Sequence, residues 1–222
     1  MIRRRRPLVS DDIADWTEAQ FDWAEETFGA GWAAARRLVL PTKAFFTAPS
    51  GRTPQVAQAI ADDIARIIGM DPVPGEPSAQ IDAAWRHSHE ALSSVGGTWA
   101  SDGTQDWITY DPDLMHRPTA FIALIAHEMM HARLAPVAHT LPGDAEAEEP
   151  ATDLHVITHG FGLFQLEGAS ELGWQGYLSQ PTRAHALAIF LPRTGTDPQQ
   201  AMDRLGGANR RALARALKDI AG

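Results

Sequence analysis

The chain has 222 residues, 44% of them hydrophobic and 21% charged, with no cysteine and a formal net charge of -9. This is the composition of a globular chain with enough apolar mass for a core, and the length fits one domain over residues 1–222. The missing cysteines exclude disulfides and thiolate metal sites, and the acidic balance excludes a general nucleic-acid binder, whose phosphate contacts require concentrated Lys and Arg.

The one dense basic run, "MIRRRRP" at residues 1–7, reads as a solvated tail, with residues 1–10 expected to be flexible. The sequence turns acidic directly afterwards, so no secretory signal is complete, and no run is long enough to span a membrane. A cytoplasmic protein with no membrane partner is the expectation. Oligomeric state is open.

Residues 11–28, "DDIADWTEAQFDWAEETF", predict an amphipathic helix. At about 100° per residue, Ile13, Trp16, Phe21, Trp23, Ala24 and Phe28 share one arc and the acids face the other way. "RLVLPTKAFFTA" (37–48) has the β-branched and aromatic character of a strand broken by Pro41. Residues 53–69 repeat Val56, Ile60, Ile64, Ile67 and Ile68 at helical spacing and stop at Gly69. Residues 70–80 are rich in proline and read as a loop or a seam between subdomains. "IDAAWRHSHEAL" (81–92) leans towards helix. Trp99 and the run Trp107 to Tyr110 predict two short strands around the turn "SDG". These serve as a structural hairpin, though such an edge could also pair with an extended peptide.

Pro118 suits the first turn of a helix that continues to about Leu134 and is ended by Pro136. A polar, acidic loop follows. A further helix is expected from Glu146 or Glu149 to Leu166, weakened at Gly160 and Gly162, with Pro150 tolerated in its first turn. Residues 181–191 and 206–222 complete a mainly helical second half. The predicted fold class is therefore α+β, mostly helical, with a small sheet.

The chemistry concentrates in "FIALIAHEMMHARL" (121–134). Phe121, Ile122, Leu124, Ile125, Met129, Met130 and Leu134 point around the whole circumference, which marks a helix buried on most sides. A carboxylate and two imidazoles in that setting each cost several kcal/mol, by order of magnitude, unless paired, hydrogen-bonded or bound to metal. Residues four apart on a helix are offset by about 40°, so His127 and His131 project from one face within reach of one ion. Glu128 lies about 100° away and can flank a metal-bound water without having to be a ligand. Two histidines do not complete a protein zinc site, and a third ligand is needed. Downstream, "EAEEPATDLHVITHGFG" offers Glu146, Glu148, Glu149 and Asp153.

HExxH followed by ExxxD resembles the gluzincin zinc metallopeptidases, and the further run "TDL...GFGLF...GYLSQ" resembles a group of bacterial proteins of the compact minigluzincin kind. The resemblance covers residues 127–190 only. It implies a zincin-like core in which a ligand-bearing helix follows the HExxH helix, with zinc on His127, His131 and Glu149. It further implies Glu128 as base and Asp153 supporting a ligating histidine. Glu146, Glu148 and Asp153 itself stay open as rival third ligands. A downstream Tyr or His usually donates to the oxyanion in this family, and Tyr177, His185 and His159 are the candidates; His155 and His159 fit either a transition-state donor or a polar helix face. The functional expectation is a zinc-dependent peptidase acting on a peptide or protein substrate. The alternatives are a zinc-binding regulatory or partner-binding protein with little hydrolysis, and a helical protein that needs no metal.

Overall fold

Local signals in the sequence set the ends of most helices. Helix α1 (Asp11–Phe28) opens on Asp11 and Asp12, whose charges suit the positive end of the helix dipole, and closes at Gly29 with φ +104°. Helix α2 (Pro54–Ile68) is capped by the Thr53 side chain, which accepts from the Val56 N–H, has Pro54 in its first turn, and ends on left-handed Gly69. The computed structural model describes residues 6–78, 96–173 and 176–221. The expected helix at 81–92 and most of the arginine run lie outside the described residues.

The fold is mostly helical α+β with a small three-stranded mixed sheet. Strand β1 (Gly75–Pro77) pairs parallel to β3 (Asp106–Tyr110), which pairs antiparallel to β2 (Gly97–Ser101), in the order β1-β3-β2. The hairpin joins β2 and β3 where the sequence reading placed it. Asp102 Oδ1 accepts from the Thr104 and Gln105 amides, each at 2.8 Å, while Gly103 takes φ +84°. The short β1 falls inside the segment read as loop or seam. As an edge strand it tolerates Pro77, whose missing N–H would break an inner ladder.

The predicted strand at 37–48 does not form. Its amides are committed elsewhere: Val39 donates to the Gly160 carbonyl, Phe45 and Phe46 donate to Thr42, and Thr47 and Ala48 donate to the buried Asp63 carboxylate. β-Character in the side chains was real, but Pro41 and a charge on α2 captured the backbone.

Helix α3 (Pro118–Leu134) runs through the middle, packed by α2, β2, β3 and the next two helices. Phe121, Ile125, Ala126, Met129, Met130 and Leu134 are all buried. Each of the larger apolar side chains contributes about 1.5–3 kcal/mol through burial. After α3 the chain makes 3-10 turns and enters α4 (Glu148–Val156). A π turn, Ile157–Phe161, separates α4 from α5 (Gly162–Glu171). The predicted weak point is a break at Gly160. Its φ is +104°, and a Cβ there would sit 2.3 Å from the Arg37 carbonyl oxygen. Helices α6 (Gln180–Arg193), α7 (Pro198–Met202) and α8 (Gly207–Ile220) complete the second half. α3 and α5 approach closely because Gly168 faces Ala120 and Ala123; a Cβ at 168 would lie 3.0 Å from that of Ala123. None of the described helices is long and apolar enough to cross a membrane.

Candidate metal centre

On α3, His127 and His131 stand one turn apart on the face that meets the start of α4. Their Nε2 atoms lie 3.2 Å from each other. Glu149, in the first turn of α4, brings Oε2 to 3.3 Å from His127 Nε2 and 3.4 Å from His131 Nε2. That oxygen is buried and has no hydrogen-bond partner. Among the described residues this is the group of His, Asp and Glu that could hold a metal ion.

The spacing is informative. Tetrahedral zinc with bonds of about 2.0–2.1 Å sets its ligand atoms about 3.3–3.4 Å apart. The three observed separations match that edge length closely, and nothing else in the described structure satisfies the Glu149 oxygen.

Asp153 lies one turn beyond Glu149 on α4, 3% exposed, and reaches the other side of the same imidazole. His127 Nδ1 donates to its Oδ1 at 2.9 Å, so that when the ring gives up its second proton the lone pair appears on Nε2, facing Glu149. The remaining Asp153 capacity is filled by Gln165 Nε2 at 3.3 Å, the Tyr177 amide at 2.9 Å, the Leu178 amide at 3.2 Å and Arg183 Nη2 at 3.2 Å. Asp153 is therefore placed to orient His127, and its carboxylate oxygens are occupied away from the three-atom cluster.

The electrostatics point to a cation. Burial opposes charge on His127, but its hydrogen bond to Asp153 and the Glu149 carboxylate close to its other nitrogen push its pKa up to about 10. Burial would raise the Glu149 pKa, yet the two imidazoles hold it at about 2. Asp153 likewise falls well below the usual carboxylate range: burial works against this, and His127 and Arg183 overcome it. Without an ion the cluster retains a proton; a metal ion can take that proton's place among the same lone pairs.

Glu128 is 4% exposed. Burial raises its pKa, against the pull of His127, His131 and the Trp99 amide. It faces a cleft of about 300 Å³, lined also by Gly97, Trp99, Glu149 and Tyr177. Aromatic rings hold both imidazoles: Trp99 stacks on His131 with centroids 6.1 Å apart, and Tyr177 on His127 at 5.9 Å. A second, apolar cavity lies beside His127 and Tyr177, walled by Ala120, Ala123, Leu124, Gly168, Ala169 and Leu172.

The structure thus brings His127, Glu128, His131, Glu149, Asp153 and Tyr177 together. Glu146 and Glu148 are exposed, and neither carboxylate joins the cluster, although Glu148 borders the cleft. His185 is not brought there. Arg183 is the α6 residue that faces Asp153, and two residues further on the helix has turned about 200°. His185 is buried near Glu18 and Asp219 instead. Nor do His155 and His159 form a polar face: both are buried against the rings of Trp23, Phe28 and Trp32.

Sequence reasoning missed three contributors. Arg183, 1% exposed, also donates from Nε to Gln165 at 3.2 Å; its signal was a charge at the head of the apolar run "AHALAIFL". Gly176, at φ +104°, makes room for that pair, since a Cβ would lie 2.1 Å from Arg183 Nη2. Trp99 carried no signal beyond strand propensity. No protein-family model, curated protein or solved structure matches this chain.

Proposed function

We propose that the protein is a zinc-dependent peptidase of the gluzincin type. The observation that carries this reading is the convergence of His127 Nε2, His131 Nε2 and Glu149 Oε2 at 3.2–3.4 Å, with the buried Glu149 oxygen otherwise unpartnered. Two nitrogens and one oxygen form a donor set suited to zinc, and three protein ligands leave a position open for chemistry. A bound zinc ion supplies Lewis acidity, acidifying water and polarising a carbonyl.

The chain's own residues do the rest. Glu128, buried beside the cluster with a raised pKa, takes a proton from water as it attacks the carbonyl and returns it to the leaving amine. Asp153 holds His127 in the tautomer that presents Nε2. Tyr177 borders the same cleft and is the candidate donor to the developing oxyanion. A peptide suits the cleft: Gly97, Thr98 and Trp99 of β2 line it, and no described strand pairs with the outer edge of β2. An extended chain laid along that edge gains backbone hydrogen bonds while its carbonyl would come up to the water that Glu128 deprotonates.

Glu128→Gln against wild type on a mixed peptide library tests the reading. Retained zinc with hydrolysis reduced about 10²–10⁴-fold is expected, the usual contribution of a general base. Equal activity in both proteins, or no cleavage by zinc-loaded wild type, contradicts it.

A further inference from the structure

Apart from the metal cluster, three buried polar atoms without hydrogen-bond partners gather around one aromatic pair: Nε of Arg36, Nε of Arg133 and Nε2 of His159. The rings of Phe28 and Trp32 lie 5.3 Å apart. The Arg133 guanidinium sits 4.5 Å over Phe28 and that of Arg36 5.1 Å over Trp32. His159, 1% exposed, meets both rings edge-on. Buried polar atoms are normally satisfied, and two of these orphans, on Arg36 and His159, belong to residues that line one pocket and call for a ligand there.

The charges lead to the same place. In a chain with net charge -9, no described carboxylate comes within ion-pair distance of Arg36, Arg37 or Arg133. Burial, and then the like charge of Arg133, depress the Arg36 pKa. A pocket of about 230 Å³ opens here, lined by Arg36, Arg37, Phe45, Arg66, Ile67 and His159. Arg66 is already engaged by Asp63 at 2.8 Å and by the Phe45 carbonyl. Arg36 Nη1 reaches the Ile68 carbonyl at 3.3 Å, and Arg37 rests on the Phe45 ring. Two guanidiniums facing the pocket therefore remain without an anion.

His159 adds selectivity. Its Nδ1 donates to the His155 carbonyl at 2.8 Å, and burial with His155, Arg36 and Arg133 nearby keeps the ring neutral. Nε2 consequently presents a lone pair and needs a donor.

We propose that this pocket binds a small tetrahedral oxyanion that keeps one O–H, with hydrogen phosphate as the type, its oxygens accepting from Arg36 and Arg37 and its hydroxyl donating to His159 Nε2. Two guanidiniums with no carboxylate partner match a dianion, and guanidinium–phosphate hydrogen bonds are among the strong charge-assisted kind. The site is distinct from the metal cluster: Arg133 follows His131 by two residues and so projects about 200° around α3 from it.

Calorimetric titration of inorganic phosphate into the full chain in phosphate-free buffer tests this, with sulfate as a second arm. Saturable binding is expected, weakened about tenfold or more in Arg36→Gln and in Arg37→Gln. Sulfate, fully ionised at neutral pH, has no proton for His159 and should bind about tenfold more weakly than phosphate. Arg37 is exposed, so Arg37→Gln should melt as wild type does without phosphate, which separates lost binding from lost folding. No saturable heat, equal phosphate binding by wild type and both variants, or sulfate binding as tightly as phosphate each overturns the proposal.

Discussion

Asp153 stabilises its surroundings only while His127 and Arg183 are both in place, because a fully buried carboxylate without donors costs several kcal/mol, by order of magnitude. Asp153→Asn keeps the shape but can no longer hold the His127 tautomer by charge. It should weaken zinc affinity about 10–100-fold, measured by competition with a chelator, as loss of such a supporting hydrogen bond does elsewhere. Unchanged affinity would show that Asp153 serves the fold alone. Much of this residue-scale chemistry was legible in the sequence. His127, Glu128 and His131 betrayed themselves as polar groups in an apolar helix, and Glu149 and Asp153 as carboxylates one turn apart. Gly176 and Trp99 were not legible, because what matters there is a clearance and a stacking contact created only when distant segments meet.

At the scale of elements, the site depends on α4 presenting Glu149 to α3, and the π turn at 157–161 sets where α4 ends. Gly160 holds that turn through a positive φ and contact with the Arg37 carbonyl, while Gly103 has a similar φ at the hairpin tip with nothing within 4 Å. Gly160→Ala should therefore cost clearly more than Gly103→Ala: at least about 2 kcal/mol against about 1 kcal/mol, where only backbone strain is paid. Urea unfolding of the two variants checks this, and equal costs would mean that the contact with Arg37 is not what fixes the turn. Helix α2 carries its own cap, glycine stop and periodicity, α1 its acidic first turn, Gly29 stop and apolar stripe, and α3 a proline at its start and another just past its end, so their limits were visible. The segment 37–48 was misread because its amides bond to Gly160 and Asp63, partners that no local pattern reveals.

Across the whole molecule, buried histidines link folding to acidity. His155, fully buried with Nε2 3.0 Å from Gln20 Oε1, has its pKa lowered by burial to about 3, and His159 is also lowered well below the ordinary value. Because the folded pKa lies below the unfolded value of about 6.5, the unfolded chain binds more protons between them. Stability is thus fully present above pH about 6.5 and falls on acidification towards pH 3, by on the order of 1.4 kcal/mol per pH unit for each such histidine. Urea unfolding at pH 7 and pH 5 should show that loss, and His155→Gln should reduce the slope; a stability that is flat over this range would contradict the assignment of neutral, buried rings. His127 has the opposite sign in the metal-free chain. Its folded pKa of about 10 lies above the unfolded one, so its contribution is complete below pH about 6.5 and fades as pH rises through 10.

The central claim is that the lone pairs of His127, His131 and Glu149 share one ion. The most direct test is an anomalous difference map, recorded at the zinc edge, from crystals of zinc-loaded protein expressed without a histidine tag. The account predicts a single strong peak about 2.0–2.2 Å from His127 Nε2, His131 Nε2 and Glu149 Oε2. A map with no peak between those three atoms, from crystals that have taken up zinc elsewhere or not at all, would contradict it.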